Sequence, residues 1–145
     1  MLRIRKAGLR DFSKVYTFIN ELENTIFDRK KQLRIFRQNL TSSAILYLVA
    51  VQQGEVVGFL SCHIQWLLHH NAPVAEIQEM FVDASMRSKN VGKKLLDDLK
   101  QRMQKKGVHQ IEAVSNMKRK RAHNFYIREG FRMTSSKFVF IEKSL

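Results

Sequence analysis

The stretch Glu76–Gly92, EIQEMFVDASMRSKNVG, limits what this chain can fold into more than any other. Val74–Val82 has the composition of a strand. A basic turn follows, with the spacing Arg87-x-x-Asn90-x-Gly92, and then a long amphipathic helix over Asn90–Lys105. That helix carries Val91, Leu95, Leu96, Leu99 and Met103 on one face and closes at Gly107. A helix N-terminus has unpaired N–H donors and a partial positive charge, so a turn feeding one suits a phosphate or pyrophosphate. The strand before it holds two carboxylates, Glu76 and Glu79, with Gln78 between them. Together these features predict acid–base chemistry beside a phosphorylated cofactor.

The rest of the chain supplies a frame for that unit. Leu2 and Ile4 alternate with charges and predict a short first strand. Asp11 is a candidate N-cap for a helix with Phe12, Val15, Tyr16, Ile19 and Leu22 at helical spacing. Asp28 is a candidate cap for a second, with Leu33, Phe36 and Leu40 on one face. Ile45–Val51 is an unbroken apolar run and predicts a strand covered on both faces. Gln53-Gly54 signals a turn, Val56–Trp66 the returning strand, and His69–Pro73 a loop. After Gly107 come a strand at Ile111–Val114, a helix at Arg119–Glu129 closed by Gly130, and a last strand at Phe138–Ile141.

A chain of 145 residues fits one domain over its whole length. No apolar run approaches the ~20 residues of a membrane span, so no membrane partner is expected. A single cysteine, Cys62, excludes an internal disulfide and makes a cytoplasmic location the expectation. The net charge of +13 points to a polyanion, either nucleic acid or a phosphorylated small molecule, or else to a generally basic surface. Two of its three densest runs, Arg87–Lys94 and Lys118–Arg121, flank the proposed cofactor site, and the third is Arg29–Lys31.

The turn resembles the cofactor motif of the GCN5-related N-acetyltransferases, Gln/Arg-x-x-Gly-x-Gly/Ala, with Arg87 and Gly92 in place and Asn90 at the middle glycine. Asn tolerates positive φ better than other non-glycine residues. Ser115-Asn116, Ala122, Phe125-Tyr126 and Gly130-Phe131 are similar to the family's last motif. The order of elements is that family's order. The resemblance therefore implies an α+β fold in which a mixed, mostly antiparallel sheet is flanked by four helices. HIQWLLHH, AEIQEMFV, the Asn-Val-Gly turn and NMKRKRAHNFYIREGF are further similar to the bacterial aminoalkylphosphonate N-acetyltransferases.

The implied activity is transfer of acetyl from acetyl-CoA to the primary amine of a small molecule, by direct attack in a ternary complex. On the family's pattern, backbone groups of Met80, Phe81 and Val82 pair with the pantetheine amides. Those of Arg87, Ser88, Lys89, Asn90, Val91, Gly92 and Lys93 hold the pyrophosphate, with charge added by the side chains of Arg87, Lys89 and Lys93. Asn116 contacts the pantetheine arm, and Tyr126 is the acid for the leaving thiolate. A homodimer is also expected.

The chemistry calls for a base as well, because an ammonium has no lone pair with which to attack a thioester. Glu76 is the best candidate, and the resemblance places the base there too. Glu79 has the opposite parity on a regular strand and shares a face with Glu76 only if a bulge intervenes. His63, His69, His70, Glu76 and Glu79 fall within 17 residues of one hairpin and leave a divalent metal open, though without a tight ligand spacing. From a different class, the chain could be a basic module that binds nucleic acid or a protein partner on a degenerate acetyltransferase fold. The basic runs Arg29–Lys31 and Lys118–Arg121 contain no stacking aromatics, which argues against nucleic acid.

Overall fold

The structure is a computed structural model that describes residues 1–142. It forms two compact units, one over Met1–Val114 and a second beginning at Ser115. The first unit holds a five-stranded sheet in the order β1-β2-β3-β4-β5. Its strands are β1 (Leu2–Lys6), β2 (Ile45–Gln52), β3 (Glu55–Leu67), β4 (Ala72–Val82) and β5 (Ile111–Ala113). The first four pair antiparallel and β5 joins β4 in parallel. Helices α1 (Phe12–Glu23), α2 (Arg29–Leu40) and α3 (Val91–Lys105) belong to this unit. Helix α4 (Lys120–Arg128) belongs to the second. The sheet is mixed and mostly antiparallel with four helices, as the resemblance implies.

The two faces of the sheet can be told apart by register. Val49, Phe59 and Phe81 form one core cluster with Phe12, Val15 and Phe18 of α1 and Phe36 of α2. Phe18 and Phe81 lie 4.9 Å apart by ring centroids, and Tyr47 stacks on Phe36 at 5.2 Å. Ring pairs at such distances add about 0.5–1.5 kcal/mol beyond the area they bury. Leu48, Ala50 and Leu60 have the opposite parity, and all are fully buried. On that face Gly58 sits against α3: a Cβ there would lie 3.1 Å from Val91 Cγ1 and 3.2 Å from Leu95 Cδ1. Val91, Leu95, Leu96, Leu99 and Met103 are all buried. At roughly 1.5–3 kcal/mol for each large apolar side chain, this face anchors α3 firmly. Strand β2 is thus covered on both sides, as its unbroken apolar run predicts.

Capping follows the sequence with one difference. Asp28 caps α2 through Lys31 N–H at 2.9 Å. Asp11 occupies the N-cap position of α1, but its carboxylate does not cap the helix. It accepts two bonds from Arg5, at 2.8 and 3.0 Å, and one from Gly8 N–H at 2.8 Å. Burial raises the pKa of this carboxyl, yet the bonds from Arg5 and Gly8 and the charges of Arg5 and Arg10 outweigh it and hold the pKa below the usual value. Asp11 therefore ties β1 to α1 as an anion. The Gln53-Gly54 turn has both residues at positive φ, 51° and 78°, as a tight two-residue hairpin requires. Strand β4 begins at Ala72, two residues before the predicted start, and Pro73 is its second residue, opposite Trp66.

The predicted last strand, Phe138–Ile141, is not a strand. These residues are 73–94% exposed and join no ladder among the described residues. A run of β-branched and aromatic residues has the propensity for a strand, but a strand forms only where a partner edge accepts its hydrogen bonds. No helix among the described residues is long and apolar enough to cross a membrane.

The close seat of α3 at Gly58 is testable. Gly58→Val places two methyl groups where Val91 and Leu95 already sit. Overpacking of this kind costs about 1–3 kcal/mol. The melting temperature should fall by several degrees, while an exposed control such as Lys100→Gln leaves it unchanged.

Candidate active site

The decisive local feature is a β-bulge in β4. Between β3 and β4 the register runs Leu60↔Met80 and Ser61↔Glu79, then jumps to Cys62↔Ile77 and His63↔Glu76. One residue of β4, Gln78, is left without an opposite number. On β3, Phe59, Ser61 and His63 alternate regularly and share the face that packs on α1 and α2. The extra residue in β4 therefore places Glu79 and Glu76 on that same face. In a regular strand they would point to opposite sides. The bulge that the sequence reading required for both carboxylates to share a face is present.

Two polar rows result. In the first, Tyr47 of β2 pairs with Ser61, and Ser61 pairs with Glu79. Ser61 is fully buried. Its hydroxyl donates to Glu79 Oε1 and accepts from Glu79 N–H at 3.0 Å. The Tyr47 hydroxyl accepts from Asn39 Nδ2 of α2 at 2.7 Å. Burial raises the Tyr47 phenol pKa and the charge of Glu79 adds to the rise, with the Asn39 bond opposing it. In the second row, His63, Glu76 and Glu112 stand side by side across β3, β4 and β5. Glu76 Oε1 accepts from Gln78 Nε2 at 2.5 Å, and His70 Nε2 lies 3.8 Å from Glu112. Glu79 is thus held at both its backbone and its side chain, whereas Glu76 is half-buried with one side-chain donor. Behind this face, burial pushes the Cys62 thiol up to about 12.

Beyond the bulge, β4 and β5 stop pairing. Their ladder covers only Ala75–Ile77 against Ile111–Ala113, with Val114 N–H donating to Ile77 O at 3.1 Å. Met80, Phe81 and Val82 pair with β3 on their other side. A strand that keeps one ladder and leaves the next can offer backbone groups to a ligand amide.

The turn into α3 has the conformation that an anion cradle needs. Ser88 and Asn90 both have φ of 66°, so Asn90 occupies the left-handed region that a middle glycine would take. Asn90 is the N-cap of α3, and no side chain caps the helix. A helix start of this kind offers first-turn N–H groups, here those of Val91 and Gly92, to an anionic acceptor. The side chains do less than the sequence suggests. Arg87 bonds back to Val82 O at 3.2 Å and lies over the Phe81 ring, and Lys93 pairs with Asp97 at 3.6 Å. Lys89 is exposed. This turn fits a pyrophosphate mainly through backbone donors.

In the second unit, Ser115 Oγ is buried with no hydrogen-bond partner among the described residues. Asn116 next to it caps its own turn, accepting from Lys118 N–H at 2.9 Å, and its carbonyl lies 2.8 Å from His123 Nε2. Tyr126 packs edge-on against Phe125 and Phe131, and burial pushes its phenol up to about 12 against the lowering charge of Arg119. It remains protonated at neutral pH. Among the described residues no group of three or more His, Cys, Asp and Glu is arranged to hold an ion. His69 and His70 instead pack against each other at 4.4 Å.

Residues 11–131 match the model of the Acetyltransferase (GNAT) family. The chain belongs to that family. It is 36% identical over 136 residues to the aminoalkylphosphonate N-acetyltransferase of Salmonella typhimurium, a match spanning 94% of this chain and 88% of that one. Among solved structures, an aminoglycoside N-acetyltransferase AAC(6')-Iy in complex with CoA superposes with a TM-score of 0.86 at 16% identity, covering 99% of this chain and 95% of that one. A transcriptional regulator from Bacillus halodurans superposes at 0.89 and 19% identity, covering 98% and 100%. At such identities these two establish the fold alone, which is the acetyltransferase fold.

Ser61, Tyr47 and Glu112 were not picked out from the sequence. The one available signal was Ser61, a lone hydroxyl in the apolar run Gly58–Cys62. Removing it should be costly. Ser61→Ala leaves a buried Glu79 N–H and carboxylate oxygen without their partner, a loss of about 1–3 kcal/mol. Denaturant unfolding should show a lower midpoint with an unchanged slope.

Proposed function

We propose that this chain transfers acetyl from acetyl-CoA to the primary amine of a small molecule, by direct attack within a ternary complex, and that the acceptor is an aminoalkylphosphonate. The observation that carries the reading is the bulged β4, which presents two carboxylates on one face and runs straight into an anion-binding helix start. Family membership supports acetyl transfer. The 36% identity to an aminoalkylphosphonate N-acetyltransferase over 94% of the chain supports the acceptor class.

Acetyl-CoA supplies the thioester carbonyl that the amine attacks. Backbone N–H groups of the turn from Arg87 to Lys93 take its pyrophosphate, and the backbone of Met80, Phe81 and Val82 takes its pantetheine amides. Asn116 adds a contact to the pantetheine arm. Glu76 accepts the proton of the ammonium, directly or through one water, so that a lone pair is available. It suits this better than Glu79, which Ser61 holds at both carboxylate and backbone N–H, whereas Glu76 has the single side-chain donor Gln78. Tyr126, protonated across the neutral range, gives its proton to the departing thiolate. Groups in such acid–base roles contribute typically ~10²–10⁴-fold each.

An acetyl-CoA consumption screen over an amine panel tests this. The panel includes aminomethyl- and aminoethylphosphonate, the matching aminoalkanols and a polyamine. The phosphonates should turn over with the highest kcat/KM, at least tenfold above the alkanols. Equal rates for phosphonate and alkanol would remove the phosphonate from the assignment. No turnover with any amine would remove acetyl transfer to small amines.

A further inference from the structure

A second basic site lies away from the carboxylate-bearing rows of β4. Arg3 and Arg5 of β1, Arg10 before α1 and Lys14 of α1 converge on an open recess of about 420 Å³ beside the β2–β3 turn. Small-ligand sites commonly span ~300–1,000 Å³. Asp11 and Glu55 are the acids lining it, so the recess carries two more positive charges than negative. Asp11 is already used, because both its oxygens accept from Arg5 and one also accepts from Gly8 N–H. Arg5 is correspondingly fixed in place. Arg3 and Arg10 are exposed and have no ion pair among the described residues.

Like charges gathered around a concavity repel one another and focus a positive potential into it. That arrangement costs stability unless an anion enters. The guanidinium fork suits phosphate oxygens, which it meets with two parallel N–H bonds. We propose that this recess binds a phosphate-bearing anion with more than one phosphate group, at a site separate from the turn into α3. The ligand bridges Arg3, Arg10 and Lys14, with Arg5 as the fixed wall behind them. Free oligophosphate and the phosphate chain of a nucleotide share the required chemistry. This site accounts for part of a +13 charge that acetyl transfer leaves unexplained.

The experiment uses the full chain saturated with CoA, so that the turn into α3 is filled. Tripolyphosphate, ATP and sulfate are titrated separately at equal ionic strength and followed by calorimetry. Tripolyphosphate should bind with one site per chain and at least tenfold more tightly than sulfate. ATP binding more tightly than tripolyphosphate identifies a nucleotide as the source, and ATP binding no more tightly identifies the phosphate chain alone. Arg3→Gln with Arg10→Gln should weaken tripolyphosphate at least tenfold while the acetyl-CoA KM stays within twofold. The single variant Arg10→Gln, at an exposed position, gives the same test if the double variant folds poorly. Sulfate equal to tripolyphosphate, binding that the variants do not change, or a rise in acetyl-CoA KM in step with the loss would each overturn the proposal.

Discussion

The arrangement depends on one extra residue. Gln78 has no counterpart on β3, and its insertion lets Glu79 and Glu76 share a face. Side chains alternate along a strand, so without the bulge one carboxylate would turn toward α3 and its apolar wall. The bulge also sits where β4 leaves its ladder with β5. A single local irregularity thus collects the acids and coincides with the opening of the sheet. Bulges are common next to active sites for this reason. Ser61 stabilises the irregularity by bonding the backbone and the side chain of Glu79, the first residue past it.

The two faces of the sheet then divide the work. The α1–α2 face carries the aromatic cluster and, further along the same strands, the two polar rows. The α3 face is packed by Val91, Leu95, Leu96, Leu99 and Met103 against small residues such as Gly58. That packing fixes where α3 begins, and so where its first N–H groups point. A left-handed Asn90 completes the turn without a capping side chain. Stability on one face and ligand geometry at its end are therefore linked through the seat of a single helix.

Much of this was legible in the sequence because it rests on periodicity. Apolar residues at helical spacing located α1, α2 and α3, and the unbroken run at Ile45–Val51 identified a doubly covered strand. The Arg87-x-x-Asn90-x-Gly92 spacing located the turn, including the positive φ at Asn90. What stayed hidden depends on partners distant in the chain. Ser61 and Glu79 are 18 residues apart, and only the register joins them. Glu112 becomes part of the acidic row only through its parallel pairing with Glu76. The strand expected at Phe138–Ile141 fails for the same reason: propensity is local, and a ladder partner is not.

The central claim is that the bulge presents Glu76 as the proton acceptor for an incoming amine. The pH dependence of kcat/KM for Glu76→Gln, set against the parent, tests it most directly. The substitution keeps the shape of the side chain and removes the base. The account predicts a loss of ~10²–10⁴-fold near pH 7. It also predicts partial recovery at high pH, where the free amine becomes abundant, with acetyl-CoA affinity retained. A profile parallel to the parent's, at near-parent rates, would contradict it.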